Sequence, residues 1–149
     1  MRHEAHVKTT AETGAEIEKV VLSFLIKEGL KKVTANYRCK LGEIDLIMLE
    51  GKTLVFVEVR FRKQDTFGGG AASVTLAKQR KLAQTASLYV QRYHVQSACR
   101  FDVVDVSSHE FTRDANKSAF NNIHHNYQIN WIRDAFCRLN NLLPDALSL

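Results

Sequence analysis

Apolar residues recur along this chain in two rhythms, and the switches between them mark its elements. Ile17, Val20, Val21, Phe24 and Leu25 fall at the i, i+3, i+4, i+7 and i+8 positions of an amphipathic helix. Thr13-Gly14-Ala15-Glu16 has the form of a capping box ahead of that stripe, and Gly29 stands where a left-handed residue ends a helix. The period then shortens to two. A strand is expected near Val33 to Cys39, then a turn at Lys40 to Gly42, then two strand-like runs, GEIDLIMLE and TLVFVEVRF, flanking Gly51-Lys52. Glycine first in a two-residue loop fits a type II′ turn, so the two runs read as a hairpin. Helical spacing returns from Thr75 to about Tyr93, with Leu82, Ala86, Tyr89 and Tyr93 on one stripe, and RFDVVDV, Arg100 to Val106, reads as a buried strand. The order helix, three strands, helix, strand predicts a mixed α/β sheet whose last strand joins beside the hairpin through a crossover. Beyond it, Ser107 to Asn126 is polar and carries no strong pattern. Tyr127 to Leu143 has Trp131, Ile132, Ala135 and Phe136 at helical spacing, a packing face for the core or for a subunit contact. Residues 1–12 read as a flexible polar tail, and 13–149 as one domain with a C-terminal extension from about residue 109.

The hairpin register has a chemical consequence. If Glu50 faces Thr53, then Asp45 faces Glu58 and Glu43 faces Arg60, all on the side that carries Ile47, Leu49, Leu54 and Phe56. Like charges directly opposite, with Cβ atoms about 4.5–5.5 Å apart, destabilise a sheet unless something compensates. A divalent cation is the obvious compensator. Asp45 lies in EIDLIML and Glu58 in LVFVEVRF, both apolar enough to be interior strands, so an acid there needs a reason. A longer loop around Gly51 would instead slip the register and leave Asp45 alone in solvent.

Composition narrows the classes. With 149 residues, 45% hydrophobic and 25% charged, the chain reads as one ordinary globular domain. Its longest apolar run, near Val20 to Ile26, is interrupted by Ser23 and is too short to span a membrane. MRHEAHVKTTAET lacks the apolar core of a secretory signal, so a cytoplasmic location and no membrane partner are expected. The three cysteines, Cys39, Cys99 and Cys137, form no CxxC pair and are expected to be reduced and mostly buried. The six histidines are equally dispersed, so no structural zinc site is expected. Gly68-Gly69-Gly70 lies in Gln64 to Ser73, which lacks the GxxxxGK[ST] spacing of a nucleotide cradle and reads as a flexible loop beside a site. A net charge of +5 favours a polyanionic partner, although a moderately basic surface also serves solubility.

Taken together, G-x-x-x-E in the first helix, GEIDLI, VFVEVR, the glycine-rich loop, VTxxK, RFDVV and WIRDAF resemble the YraN family. Its members are distant relatives of archaeal Holliday-junction resolvases, within the PD-(D/E)xK restriction-endonuclease-like superfamily. The resemblance runs from about Gly14 to Phe136. It implies a restriction-endonuclease-like α/β core, a mixed central sheet of hairpin plus crossover strand flanked by helices. It also implies a magnesium or manganese ion, with no nucleotide, zinc or haem. By the same resemblance Asp45 is the D position, Glu58-Val59-Arg60 the (D/E)xK position and Glu18 the helix acid. The implied catalytic set is Glu18, Asp45, Glu58 and Arg60. The implied metal ligands are Asp45, Glu58 and the Val59 backbone carbonyl, with Glu18 able to join directly or through water. Lys78, at the lysine of VTxxK, together with Arg80, Lys81, Arg62 and Lys63, would contact nucleic acid, DNA ahead of RNA. A homodimer is expected by analogy with the resolvases.

Physical chemistry supports that set and qualifies one member. Magnesium is usually held by one or two carboxylates plus waters and substrate phosphate oxygens, and it lowers the pKa of bound water toward neutrality. Arg60 stands where the superfamily has lysine. A guanidinium cannot be deprotonated in a protein, so Arg60 cannot be a general base, though it can orient water or stabilise negative charge. Its alternative role is a cross-strand ion pair with Glu43. The alternative reading of Glu18 is a solvated helix-edge acid, which the helix dipole favours in a first turn. The expected activity is metal-dependent hydrolysis of DNA phosphodiester bonds, branched or single-stranded. The alternative is a nucleic-acid-binding module with weak or no catalysis, and a third reading is a structural partner protein using Trp131 to Phe136.

Overall fold

The computed structural model describes residues 10–62, 74–108, 123–124 and 127–136. The elements run α1 (Thr10–Lys27), β1 (Lys31–Cys39), β2 (Gly42–Glu50), β3 (Thr53–Arg62), α2 (Leu76–Arg92), β4 (Cys99–Ser108), β5 (Ile123–His124) and β6 (Tyr127–Phe136). One six-stranded sheet holds them in the order β1-β2-β3-β4-β6-β5. The first three strands form an antiparallel meander; α2 carries the chain across to β4, which lies parallel to β3, and β6 closes antiparallel on β4. This is the mixed α/β sheet with a crossover that the pattern of elements predicts, and it is compatible with a nuclease-like core.

Two apolar layers sandwich the sheet. On one side Ile17, Val21, Phe24 and Leu25 of α1 pack against Leu46, Met48, Val55, Val57, Val104 and Val106. On the other, Leu82, Ala83, Ala86 and Tyr89 of α2 cover Ile44, Ile47, Phe56, Phe101 and Val103. Strands buried on both faces explain why β3 and β4 read as continuous apolar runs.

Local chemistry sets the boundaries. Gly29 adopts φ 99°, and the amides of Gly29 and Leu30 donate to the carbonyls of Ile26 and Leu25, which is the Schellman ending of α1. Leu30 is then buried beside Leu25. At the other end α1 starts at Thr10 instead of Thr13, so the capping-box reading is corrected. Ala11 and Glu12 are strong helix formers, and Gly14 inside a helix costs only about 1 kcal/mol, so the helix runs one turn further back. Thr75 caps α2 by accepting the Lys78 amide at 3.3 Å. Gly51 has φ 57° while Lys52 is not among the positive-φ residues, as a type II′ turn requires. At Gly42, where φ is 154°, a Cβ would meet Thr85 Oγ1 at 2.9 Å, so glycine lets α2 sit close over the start of β2.

The helix expected from Tyr127 is instead strand β6. Tyr127, Ile129 and Trp131 face the α1 layer, while Ile132, Ala135 and Phe136 face the α2 layer. A register shift between Phe101 and Val103 and a left-handed Asp134 (φ 48°) break the alternation. A strand apolar on both faces with a bulge therefore imitates helical spacing. Cys39 and Cys99 are free but half-buried, less enclosed than expected. Cys137, Lys63, the Gly68 to Gly70 stretch and most of the 1–12 tail lie outside the described residues. Among those that are described, no helix is long and apolar enough to cross a membrane.

Candidate active site

The expected acids come together where β2 and β3 part. The ladder between them runs from Glu50↔Thr53 to Leu46↔Val57, the anticipated register, and stops one pair short of Asp45 and Glu58. Ile44 and Ile47 lie in the same α2-side layer although three residues apart, so β2 slips by one position between them. Opposite that slip on β1, Asn36 takes a left-handed φ of 53°, a conformation that asparagine tolerates better than most residues. Asp45 is consequently turned into the opening, where its Oδ2 accepts the Val59 amide at 2.8 Å in place of a strand carbonyl. The single-face arrangement of four charged residues is thus corrected at β2. Glu43 pairs with Arg38 directly across β1 and β2, at 2.8 Å, and Arg60 faces Asp105 on β4, 3.9 Å away.

Glu58 stays on the α2 side of β3, and its Oε1 accepts from Lys78 Nζ at 3.1 Å. Lys78 lies in the first turn of α2, so the crossover helix delivers it to the carboxyl ends of the parallel strands β3 and β4, where open α/β sheets place their ligands. Arg80 and Lys81 are exposed further along the same helix. Glu18, on α1, approaches from the opposite side of the sheet. Its Oε2 accepts from Asn36 Nδ2 at 3.1 Å.

Burial pushes the Asp45 carboxyl up from 3.8 to about 7; the Val59 amide pulls it down, Glu58 and Glu18 raise it by repulsion, and Lys78 lowers it. Three acids therefore feel one another here. They do not close into a ring: among the described residues, no three His, Cys, Asp or Glu side chains gather closely enough to hold a metal ion. The donor set here is two carboxylates, Asp45 and Glu58, with Glu18 tied to Asn36. That suits the mode in which magnesium takes one or two carboxylates and fills its remaining positions with water and phosphate oxygens.

One charged cluster escaped the sequence reading. Asp102 is fully buried; it receives Arg100 Nε and Nη2 at 2.9 and 3.0 Å, Trp131 Nε1 at 2.9 Å and the Asp134 amide at 3.0 Å. Arg100 and Arg133 also bond Glu50, and Arg133 lies 3.9 Å over the Trp131 ring. This network runs from Asp102, opposite Val57 in the β3–β4 ladder, to Glu50 at the hairpin-turn end of β2, and it staples β6 to β4. The signal was present as an aspartate inside RFDVVDV.

A family profile described as Uncharacterised protein family UPF0102 matches residues 17–106, from the apolar face of α1 through β4. The chain belongs to this family. A UPF0102 protein of Methylobacillus flagellatus is 45% identical over 125 residues, covering 84% of this chain and 96% of its own length. One from Nitrosomonas europaea is 40% identical over 130 residues, covering 87% and 98%, and one from a Janthinobacterium strain is 50% identical over 95 residues, covering 64% and 77%. The UPF0102 match contains Glu18, Asp45, Glu58, Arg60 and Lys78. It is the family to which the GEIDLI and VFVEVR motifs point.

Proposed function

We propose that this UPF0102 protein is a metal-dependent endonuclease that hydrolyses phosphodiester bonds of DNA, branched or single-stranded. The observation that carries the reading is Asp45: a half-buried carboxylate, fixed by the Val59 amide in a gap between two strands, beside Glu58 and its 3.1 Å partner Lys78. A packed core gains nothing from an acid that burial raises toward neutrality. A cation site does, because a divalent ion offsets the burial and the repulsion together.

Asp45 and Glu58 would hold magnesium or manganese, with the Val59 carbonyl and Glu18 as supplementary donors. When bound, the ion polarises the phosphoryl group and makes water acidic enough to attack at neutral pH. The chain supplies the rest. Lys78 provides, from α2, the ammonium that the superfamily pattern has on the strand, and its charge beside Glu58 stabilises negative charge developing on a phosphate there. Arg60, turned toward Asp105, acts as a fixed positive charge and not as a base.

One observation favours a binding module instead: the absence of a three-acid ligand group among the described residues. A single experiment separates the two. Purified protein is incubated with labelled branched and single-stranded DNA in magnesium, manganese or EDTA, beside Asp45→Ala and Glu58→Ala. The nuclease reading expects cutting that needs the metal and falls roughly a hundredfold or more in either variant. Cutting that survives in EDTA or in the variants rejects this site, and binding without cutting in any metal identifies the module.

A further inference from the structure

We propose that Asn36 is a positioning residue of the metal site, whose side-chain amide fixes the Glu18 carboxylate so that it can serve an ion held by Asp45 and Glu58. The inference rests on the nucleolytic reading of those two acids, and it adds how the third acid, which comes from another element, is brought to them and kept there.

β1 and β2 each give up one residue at the same level. Their ladder pairs Ala35 with Leu46 and Tyr37 with Ile44, and it skips Asn36 and Asp45 between them. Residues two apart on a strand normally share a face. Here Ala35 and Leu46 pack in the α1 layer, whereas Tyr37 and Ile44 pack in the α2 layer. Both strands therefore swap faces across this one skipped pair, and the left-handed φ of 53° at Asn36 is the turn that does so in β1. Asn36 lies across from Asp45, at the level where Asp45 leaves the strand to accept the Val59 amide. Its Nδ2 donates to Glu18 Oε2 at 3.1 Å, a bond between residues 18 apart in sequence. The Glu18 charge is felt in turn at Asp45, whose carboxyl it raises by repulsion.

The backbone turn alone does not call for asparagine. Glycine takes positive φ at no steric cost and would meet that need of β1 better. Asparagine adds an amide, and the amide is given to Glu18. Both partners stand where water has access, so the bond is not required to satisfy a buried group. Its effect is to order a side chain that is otherwise free to sample many rotamers, and a donor ordered in advance leaves less for an ion to organise. A neutral amide also leaves the charge of Glu18 intact, unlike the Lys78 ammonium beside Glu58. It occupies one oxygen of the carboxylate, and Oε1 remains to accept from a water of the ion. A left-handed residue held at the mouth of a cleft by such a contact is the pattern in which local strain accompanies function.

The test is calorimetric titration of manganese alone into the wild type, Asn36→Gly, Glu18→Ala and the double variant. Asn36→Gly keeps the left-handed turn and removes only the amide, so it should melt close to the wild type without metal. It should bind manganese roughly tenfold more weakly, the usual size of effect for a residue that orients a metal's partners. Asn36→Ser, whose hydroxyl is one bond shorter than the amide, deletes the same contact and should behave alike. In the Glu18→Ala background Asn36→Gly should weaken binding no further, because Asn36 acts through Glu18. A merely structural asparagine would give the same loss in both backgrounds. Either that result, or Asn36→Gly matching the wild type in manganese affinity, overturns the positioning role and leaves Asp45 and Glu58 as the site. A wild type that takes up no manganese overturns the metal-dependent nuclease reading together with this inference.

Discussion

Asp45 concentrates the chemistry of this protein in one carboxyl group. Its ordinary value is 3.8, and burial holds it near 7. In the metal-free protein the folded state keeps a proton that the unfolded chain has released between those two values. Its contribution to stability is therefore complete below about pH 3.8 and is lost as pH rises through about 7. Asp45→Asn removes the penalty: without metal it should melt higher than wild type at about pH 8, by an amount on the order of 3 kcal/mol, and the advantage should vanish near pH 4. Manganese should reverse the order, stabilising the wild type and leaving Asp45→Asn nearly unmoved, as scanning calorimetry at both pH values would record. Equal stability of the two proteins at alkaline pH would mean that Asp45 carries no burial penalty. The identities of Asp45 and Glu58 were legible because each interrupts an apolar strand. The one-residue slip that turns Asp45 into the gap was not, since period-two alternation carries no mark of a bulge.

Among the elements, β6 departs furthest from its sequence pattern. Trp131, Ile132, Ala135 and Phe136 match a helical stripe, but two apolar layers compete for this segment and a strand alone feeds both. What fixes it as a strand lies elsewhere in the chain. Asp102 of β4 satisfies the Trp131 indole and the Asp134 amide, and it neutralises Arg100. Asp102→Ala leaves the half-buried Arg100 guanidinium with Glu50 alone and two part-buried N–H groups without that acceptor, which should cost on the order of 2–3 kcal/mol. Hydrogen exchange should show the loss first in β6, with α1 and the β2–β3 hairpin protected for longer. Uniform loss of protection would mean that β6 is not a separate unit. The helices were easier to read. Gly29 and Thr75 end and begin them through short-range hydrogen bonds written within a few residues of sequence.

For the molecule as a whole, the family match ends at residue 106, yet the sheet continues. β6 covers the far edge of β4, and Trp131 meets Phe24 of α1 edge-on at 6.0 Å. A chain ended after Ser108 would expose a long apolar strand edge and part of both layers. We expect that truncation to aggregate or to lose cooperative melting, checked by gel filtration and circular dichroism; a monomeric, cooperatively melting product would make β6 an accessory. The hairpin, its II′ turn, both helices and the crossover followed from the sequence by itself, because turn glycines, caps and hydrophobic period act over a few residues. Tertiary structure alone decided that α2 brings Lys78 to Glu58, that Arg60 meets Asp105 instead of Glu43, and that β6 is a strand. Those outcomes depend on neighbours tens of residues away, which no local period encodes.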